Sequence, residues 1–336
     1  MSRLRFGVLG CGDFLRWNEP VIAASDDAVV TAVFDPDAAR AGAWATKLGA
    51  RVADSAAALI AAADVDAIAL FVPPWARRDL LLAACAAGKH ILTTKPLAPD
   101  VAACAEMGDA VRRAGVRCGV IYNRTGSALI ETLRDVFDGG AIGRLALYKH
   151  DWIHAYPRWN RWATDPVRNG GPFQDAMIHN LNAARYLMGR ELTAATFFAD
   201  RHSQDIPCAD TESLKADFAG GGSAHLFITW AADLATYGTA GNDREHHDIF
   251  WLVTDQAWRV TVDGADLVAS RRGETRRFPL VTPATTVYDG FARAVADGAW
   301  PRDLPDLAEA ARDIAIIRGG MAAPNALVAY SRTASA

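Results

Sequence analysis

The turn after the first strand constrains the fold of this chain more than any other stretch. The apolar run Phe6–Leu9 predicts a strand buried on both faces, and it leads into Gly10-Cys11-Gly12. Glycines there permit a tight turn and let a ligand approach the bare backbone, and a helix that follows offers free N–H groups that suit a pyrophosphate. An ordinary structural turn is the alternative. The cofactor contacts predicted at this turn are Gly10, Gly12, Asp13 and Phe14.

An acidic residue follows a second apolar run, Val29–Phe34, at Asp35. It lies about twenty residues beyond the glycine turn, where a dinucleotide-binding fold places the carboxylate that holds the ribose hydroxyls. Asp35 could also cap the helix that begins near Pro36, and both roles can hold together. The third glycine of the usual fingerprint is replaced by Leu15. We therefore expect the first helix to lie further from the strand, or the turn to differ locally.

Strand and helix patterns alternate as far as Tyr122. The predicted strands are Arg5–Gly10, Val29–Asp35, Ala67–Val72, His90–Thr94 and Arg117–Tyr122, and the helices between them include Ala38–Leu48, Arg77–Ala87 and Asp100–Ala114. Such alternation predicts a doubly wound parallel sheet of the Rossmann type over residues 1–122. Ligands bind beyond the carboxyl ends of such strands, which directs attention to Pro73, Lys95 and Asn123.

The pattern changes after Arg124. A helix at Ser127–Asp138 precedes longer alternating runs at Leu145–His154, Ala195–Arg201, Ser213–Phe218, Ala224–Trp230, Ile249–Thr254 and Trp258–Val262, and helices return at Val287–Ala296 and Leu304–Ile317. Alternation of this kind predicts a large, mostly antiparallel sheet with one open face. We predict a second, α+β domain over residues 123–336 that binds substrate and, through the open face, a second copy of the chain.

Composition excludes several classes of protein. The net charge of −4 gives no reason to expect nucleic acid or an acidic membrane surface as a partner. No apolar run is long enough to predict a membrane span, and the early first strand predicts no signal peptide. The five cysteines include no CxxC pair, which predicts a reducing, cytoplasmic setting without a zinc site or disulfide framework.

Lys95 directly follows a predicted strand and precedes Pro96, which restricts it to extended backbone. It is expected to project over the carboxyl edge of the sheet, towards the nicotinamide of a bound dinucleotide. A solvated surface lysine is the alternative interpretation.

A later helix, expected from Pro172 to Met188, carries a second candidate group. At about 100° per residue, its polar residues fall on one narrow stripe, opposite an apolar face. The stripe comprises Asp175, His179, Asn182 and Tyr186. Asp175, one turn from His179, could orient the imidazole, which could then remove a hydroxyl proton. The alternative is that the stripe only faces water.

The segment before that helix is dense in aromatic and arginine residues. Aromatic rings there could stack on the C–H face of a sugar, and ordinary packing is equally compatible with the pattern. The members of this group are Trp152, Tyr156, Arg158, Trp159, Arg161, Trp162 and Arg168. His202, His246 and His247 lack the spacing of metal ligands, so they are interpreted as structural or surface residues.

Taken in order, these motifs resemble the glucose–fructose oxidoreductase/inositol dehydrogenase (Gfo/Idh/MocA) family across both domains. The markers are Gly7–Gly12, Asp66–Ile68 before Pro73-Pro74, Ala87–His90, Thr94–Ala98, Asn123-Arg124, and Gly170-Gly171 followed by Asp175 and His179. Three positions depart from the family pattern: glutamate is usual where Thr94 stands, histidine where Arg77 stands, and often aspartate where Asn182 stands. These departures surround the substrate pocket.

The resemblance implies an NAD(P)-dependent dehydrogenase that acts on a secondary hydroxyl of a sugar, cyclitol or related polyol, and that assembles as a homodimer or homotetramer. It implies Lys95, Asp175 and His179 as the catalytic set. Cofactor contacts would come from Gly10, Gly12, Asp13, Phe14, Asp35, Pro73 and Lys95, and substrate contacts from Asn123, Tyr156, Arg158, Trp162 and Asn182. Asp35 favours NAD over NADP, although Arg40 could admit the additional phosphate. A glycoside-processing enzyme with a recycled cofactor and a catalytically inactive sugar-binding regulator are the alternatives.

Overall fold

The computed structural model describes residues 3–155, 161–232, 234 and 246–330. The chain forms two compact units. The first contains Met1–Tyr122 and Pro283–Arg312, and the second contains Asn123–Thr282 and Asp313–Ala336.

The first unit is built on a parallel sheet. Its six strands are β1 (Leu4–Leu9), β2 (Ala28–Phe34), β3 (Arg51–Val52), β4 (Ala67–Leu70), β5 (His90–Thr94) and β6 (Cys118–Ile121). They lie in the order β3-β2-β1-β4-β5-β6, and every pair is parallel. The order reverses between β1 and β4, where ligands bind in doubly wound sheets. The predicted Rossmann architecture is confirmed.

Helices connect these strands. They are α1 (Asp13–Ala23), α2 (Ala38–Leu48), α3 (Ala56–Ala61), α4 (Arg77–Ala86) and α5 (Val101–Ala114). Side-chain caps fix their starts: the Asp37 and Asp100 carboxylates accept the backbone N–H groups of Arg40 and Ala103. Gly115, at φ 66°, ends α5 in the left-handed conformation that glycine adopts without strain.

The second unit contains the nine-stranded sheet. Its helices are α6 (Ala128–Asp138) and α7 (Ile178–Met188), and its strands are β7 (Leu145–His154), β8 (Leu192–Asp200), β9 (Thr211–Phe218), β10 (Ser223–Thr229), β11 (His246–Thr254), β12 (Arg259–Asp263), β13 (Asp266–Arg271), β14 (Glu274–Pro279) and β15 (Leu327–Ala329). The strand order is β14-β13-β12-β11-β7-β10-β9-β8-β15. Only β7 and β10 pair in parallel among these described strands, so the predicted, mostly antiparallel sheet is confirmed.

The two faces of this sheet differ in burial. On β7, Tyr148, His150 and His154 are buried, whereas Lys149 and Asp151, which point to the opposite face, are partly exposed. The same alternation follows β9 and β10. One face therefore belongs to the core of the unit and the other is open.

The last two helices are α8 (Val287–Asp297) and α9 (Leu307–Ala322). The sequence analysis placed residues 283–312 in the second domain, but the structure assigns them to the first unit. The reason is packing: the rings of Tyr288 and Phe291 lie 5.7 and 6.1 Å from the ring of Phe6 on β1. The Asp289 carboxylate also accepts the Ser25 hydroxyl at 2.5 Å.

Within the described residues, no helix has the length and apolar character needed to cross a membrane.

Candidate functional site

The glycine turn after β1 combines one crowded position with one open position. Gly10 has φ 95°, and a Cβ there would lie 2.6 Å from the carbonyl oxygen of Phe71. Gly12 precedes α1 in extended conformation, and a Cβ there would meet no described atom within 4 Å. The first N–H groups of any α-helix have no acceptor within the helix. The turn therefore leaves room beside donors that suit an anionic group.

Asp35 lies at the carboxyl end of β2, and its side chain is 7% exposed. One oxygen accepts the N–H of Cys11 at 2.8 Å, and the other accepts the N–H of Asp37 at 2.9 Å. Arg40 on α2 reaches the second oxygen at 3.3 Å. These contacts hold a carboxylate beside the glycine turn, as the fingerprint predicts.

A cavity of about 360 Å³ opens at this place. Its lining is Cys11, Gly12, Asp13, Arg16, Arg40 and Trp44. The sequence analysis did not single out Arg16 or Trp44 as site residues, because nothing in their spacing distinguishes them from other helix residues. Arg16 lies 3.1 Å from the Asp13 carboxylate, so two guanidinium groups and one indole surround the space in front of α1. Phe14 packs edge-on against Phe71, with ring centroids 4.8 Å apart.

Leu15 stands where the fingerprint has its third glycine, and it is fully buried. It belongs to the same core cluster as Val8 and Val33 of the sheet. With glycine at this position the helix backbone could pack directly against the strands, whereas here the leucine side chain fills the space between them.

Lys95 occupies a distinctive place after β5. From Ile91 to Ala98 every residue is buried except Lys95, which is partly exposed. Its backbone N–H donates to the carbonyl of Ile121 at the end of β6. Beside it, the Thr94 hydroxyl donates to the same carbonyl at 3.3 Å. Pro73, another predicted cofactor contact, begins the short 3₁₀ turn Pro74–Ala76 after β4.

The helix that carries Asp175 and His179 begins differently from the prediction. Phe173–Met177 forms a π-helical turn, and the α-helix begins only at Ile178. Because a π turn holds more residues than an α turn, the stripe calculated at about 100° per residue does not apply there. The interpretation that the stripe faces water is also wrong, since His179 and Asn182 are each only 4% exposed.

His179 receives a hydrogen bond from the backbone. The N–H of Asn123 donates to Nδ1 at 3.0 Å. A ring nitrogen that accepts a hydrogen bond carries no proton, so the neutral ring has its proton on Nε2. In this tautomer His179 is a donor through Nε2, and Asn123 acts through its backbone N–H on that ring.

Asp175 is tied to the turn before the helix. Its carboxylate accepts from Nδ2 of Asn169 at 3.1 Å, and its own N–H donates to the carbonyl of Gly171. Asn169 also donates to the carbonyl of Ala163 and is fully buried. These bonds fix the place of the carboxylate within the second unit.

Asn182 forms part of a buried polar chain. Its amide oxygen accepts the Thr125 hydroxyl at 2.7 Å, and its Nδ2 donates to Asp313 at 2.9 Å. The other oxygen of Asp313 accepts Arg185 at 2.5 Å. Asn182 therefore links α7 to α9, and both polar atoms of its amide have protein partners.

Glu212 on β9 is a buried acid that sequence reasoning missed. Its Oε2 accepts the N–H of Phe173 at 2.7 Å, where the π turn begins. Burial raises the pKa of this carboxyl to about 8, against the opposing effect of the Phe173 hydrogen bond. Position alone gives little signal, because the partner lies far away in the sequence.

The predicted aromatic group is only partly within the described residues. Tyr156, Arg158 and Trp159 lie outside them, whereas Trp162 is partly buried in the 3₁₀ turn Arg161–Thr164. Trp152 lies on strand β7, within the predicted strand Leu145–His154, and the Arg124 guanidinium lies 5.6 Å from its ring centroid.

Arg124 also takes part in a charged cluster on the sheet. It donates to Asp248 at 2.6 Å, and the other carboxylate oxygen of Asp248 contacts Nε2 of His150. Burial opposes the charge on Asp248, but the bonds from His150 and Arg124 lower its pKa well below the usual range. The described residues contain no group of His, Cys, Asp and Glu that could hold a metal ion.

Comparison with known proteins agrees with this architecture. Residues 4–122 match the model of an oxidoreductase family with an NAD-binding Rossmann fold, GFO_IDH_MocA, and residues 130–261 match the GFO/IDH/MocA C-terminal domain. An inositol 2-dehydrogenase from Rhizobium meliloti is 31% identical over 248 residues, 70% of each chain. A 1,5-anhydro-D-fructose reductase from Ensifer adhaerens is 31% identical over 188 residues. That alignment covers 55% of this chain and 56% of the relative, so the chain spans little more than half of its length.

Solved structures of low sequence identity share the whole fold. The aldose-aldose oxidoreductase from Caulobacter crescentus, complexed with glycerol, gives a TM-score of 0.82 at 20% identity over 98% of this chain and 100% of that one. An oxidoreductase from Agrobacterium radiobacter in complex with NAD⁺, L-tartaric acid and magnesium gives 0.78 at 18% identity over 98% of each chain. The two family models and the inositol dehydrogenase alignment show that this chain belongs to the Gfo/Idh/MocA oxidoreductase family.

Proposed function

We propose that this protein is a dehydrogenase that uses NAD to oxidise a secondary hydroxyl of a sugar, cyclitol or related polyol, or to reduce the matching ketone. The observation that carries the proposal is the placement of Lys95. It is the one partly exposed residue in a buried run at the carboxyl edge of a Rossmann sheet, which is where ligands of such sheets bind. The names of the relatives, an inositol dehydrogenase and an anhydrofructose reductase, support the substrate class.

The residues at the glycine turn fit a dinucleotide. The space in front of Gly12 would be filled by any side chain, and the N–H groups that begin α1 face it, so Gly10, Gly12, Asp13 and Phe14 would hold the pyrophosphate region. Asp35 would hold the ribose hydroxyls, and Pro73 and Lys95 would contact the nicotinamide half. When bound, the nicotinamide supplies the acceptor or donor of hydride.

We propose that Lys95 and His179 both contact the substrate oxygen that reacts. The Lys95 ammonium donates a hydrogen bond to that oxygen and stabilises negative charge that develops on it. In the tautomer fixed by Asn123, Nε2 of His179 would donate a hydrogen bond to the same oxygen. Oxidation of the hydroxyl releases one proton, which this ring would take up at Nδ1 after that nitrogen has released the Asn123 N–H, and reduction of the ketone would return the proton. Asp175 would orient His179 or bind a neighbouring hydroxyl, and Asn123, Tyr156, Arg158, Trp162 and Asn182 would contact the substrate.

The preferred cofactor follows from Asp35. A carboxylate held by two backbone N–H groups repels a 2′-phosphate, which favours NAD. Arg40 lies 3.3 Å from that carboxylate and would attract the same phosphate. We expect a higher kcat/KM with NAD than with NADP, and Arg40→Ala to reduce the use of NADP more than that of NAD.

A polyol panel tests the proposal. Purified protein is incubated with NAD or NADP and a panel that includes myo-inositol and common aldoses, and reduced nicotinamide is followed by absorbance; 1,5-anhydro-D-fructose with reduced cofactor tests the reverse reaction. Turnover is expected, and Lys95→Met and His179→Asn should each lower kcat by about 10²–10⁴-fold. Lys47→Met and His202→Asn, two exposed positions, are the controls.

Three other results would reject or change the proposal. Cofactor binding without turnover of any panel member would favour a regulator. Product formed without accumulation of reduced cofactor would indicate a recycled cofactor. Unchanged kcat in the Lys95 and His179 variants would reject the assignment of the reacting oxygen.

We further propose that a second copy of this chain covers the open face of the nine-stranded sheet. Apolar side chains on that face include Phe198, 41% exposed, and Ile249, 51% exposed. Lys149 pairs with Asp151 there, and Lys215 with Asp217, so the face presents both charges. Sedimentation should show a dimer or tetramer, which Ile249→Glu weakens and Val281→Glu leaves intact. A monomer at all concentrations would contradict this.

A reducing, cytoplasmic setting is proposed for the same protein. All five cysteines are unpaired and buried, which supports that setting.

A further inference from the structure

The first unit contains a buried cation without an acidic partner. Arg77, the first residue of α4, is 1% exposed. No carboxylate of the described chain lies within ion-pair distance of it. Burial lowers its pKa to about 9, so the guanidinium is still charged at neutral pH. Removing a charged group from water is costly, and an apolar side chain of similar volume would fill this space at lower cost. The guanidinium must therefore be retained for what it contacts.

Its contacts are backbone carbonyls at the ends of two neighbouring strands. Nη1 shares its two hydrogens among three carbonyls, those of Thr94 and Leu97, at 2.6 and 3.1 Å, and that of Pro96. Nη2 donates to the carbonyl of Val72 after β4 at 2.7 Å. One planar group thus joins the chain beyond β4 to the chain beyond β5.

Lys95 lies between the carbonyls that Arg77 binds. Thr94 precedes it and Pro96 follows it, and the Arg77 guanidinium binds the backbone of both. The N–H of Lys95 is held separately by the carbonyl of Ile121. All the neighbours of Lys95 from Ile91 to Ala98 are buried, so the backbone around the ammonium-bearing residue is fixed on each side.

Arginine suits this task better than lysine. A guanidinium is planar and offers five N–H donors in a rigid fork, whereas an ammonium is a point charge on a flexible stem. Lysine at this position could satisfy some of the carbonyls but could not hold Val72 and the Thr94–Leu97 turn in one plane.

We propose that Arg77 is the positioning residue for Lys95: it clamps the backbone on both sides of that lysine so that the ammonium is held in the orientation that the reaction needs. This inference rests on the proposed function. A small misplacement of a reacting group can lower the catalytic rate about 10²-fold. Holding Lys95 in place therefore gives a reason to retain a buried guanidinium despite its cost in stability.

The test is a double-mutant cycle between Arg77→Lys and Lys95→Met. Arg77→Lys is expected to lower kcat about 10–100-fold for the panel polyol that the wild type oxidises fastest, while the Kd for NAD⁺, measured by titration, stays within about threefold. In the Lys95→Met background the same substitution should change kcat by less than about threefold, because the group it positions is gone. Arg78→Lys is the matched control, since Arg78 is the next residue and is exposed.

A chemical readout accompanies the kinetics. Acetylation by an N-hydroxysuccinimide ester, mapped by mass spectrometry, reports the accessibility of each lysine. The rate at Lys95 should change at least about threefold in Arg77→Lys, with the rates at Lys47 and Lys149 unchanged. This measurement needs no turnover, so it still tests the clamp if the wild type oxidises no polyol and the proposed function fails.

Three results overturn the inference: wild-type kcat in Arg77→Lys, an equal loss of kcat with and without Lys95, or an unchanged acetylation rate at Lys95. If Arg77→Lys does not fold, Arg77→Gln, which keeps a planar donor without the charge, goes through the same cycle and the same labelling, and the same three results decide.

Discussion

Gly10 and Gly12 lie two residues apart, and a methyl group would meet opposite surroundings at each. At Gly10 it would press on the Phe71 carbonyl and force a left-handed conformation that other residues adopt only under strain. At Gly12 it would enter open space with an ordinary backbone angle. We therefore expect the fold to require a glycine at position 10 and the ligand to require one at position 12.

Alanine substitutions should separate these purposes. Gly10→Ala should lower the free energy of unfolding by about 2–4 kcal/mol, the cost of strain plus overpacking, as measured by urea denaturation. Gly12→Ala should change it by less than about 0.5 kcal/mol but raise the Kd for NAD⁺ at least about tenfold, because its methyl group occupies the space of the pyrophosphate. Wild-type NAD⁺ affinity in Gly12→Ala would show that the dinucleotide does not pass this turn.

At the scale of an element, Glu212 accepts the N–H of Phe173, the first residue of the π turn that leads into the helix carrying His179. Its pKa is raised to about 8 from 4.5 in a model peptide. Between these values the native state keeps a proton that the unfolded chain has lost. The free energy of unfolding must therefore fall as the pH rises, and the loss continues until the pH passes the native pKa.

Glu212→Gln should remove this dependence. The amide resembles the protonated acid, so the wild type should lose stability relative to Glu212→Gln between about pH 5 and pH 9, as measured by urea denaturation at each pH. Glu106→Gln, at an exposed position, is the control and should run parallel to the wild type. If the free energy of unfolding of Glu212→Gln followed that of the wild type at every pH, the Glu212 carboxyl would have an ordinary pKa in the native state.

Elements with a strong apolar period were predictable, and others were not. Helix α2 and strands β5 and β7 have the predicted limits. An element that buries one or both faces has apolar residues at a regular spacing, and that spacing can be recognised in the sequence. Strand β14 was missed because Glu274–Pro279 is mostly charged and exposed, which leaves no apolar alternation to read. The π turn at Phe173–Met177 was missed because periodicity arguments assume α-helical geometry.

The candidate site divides in the same way. The glycines, Asp35 and Lys95 were predictable because they follow strands at fixed places. Glu212, Asp313 and the contacts of Arg77 depend on partners distant in sequence, such as the Phe173 N–H and the Thr94 carbonyl. Folding creates those pairs, and a linear pattern does not show them.

For the whole molecule, the important feature is that the first unit uses two separate parts of the chain. Residues 1–122 alone lack Tyr288 and Phe291, which cover Phe6. Loss of this packing exposes apolar surface, and a small domain buries too little surface on folding to remain stable without it.

A fragment experiment tests this dependence. Residues 1–122 alone should melt without a cooperative transition and bind a hydrophobic dye, whereas 1–122 joined to 283–312 by a Gly/Ser linker should melt cooperatively. Tyr288→Ala with Phe291→Ala in the joined fragment should restore the behaviour of 1–122 alone, as followed by circular dichroism. A cooperative melt of 1–122 at the temperature of the joined fragment would contradict the expectation.

The pairing of strand β7 has a consequence for the order of events during synthesis. Both neighbours of this central strand, β10 and β11, come later in the chain, after β8 and β9. A ribosome that has just made β7 has thus released a strand with two unpaired edges, and these edges stay open until the later strands emerge. Because translation proceeds at about 5–20 residues per second, the unpaired edges of β7 stay exposed on the nascent chain for several seconds. Chaperones that shield such edges should associate with it in that interval.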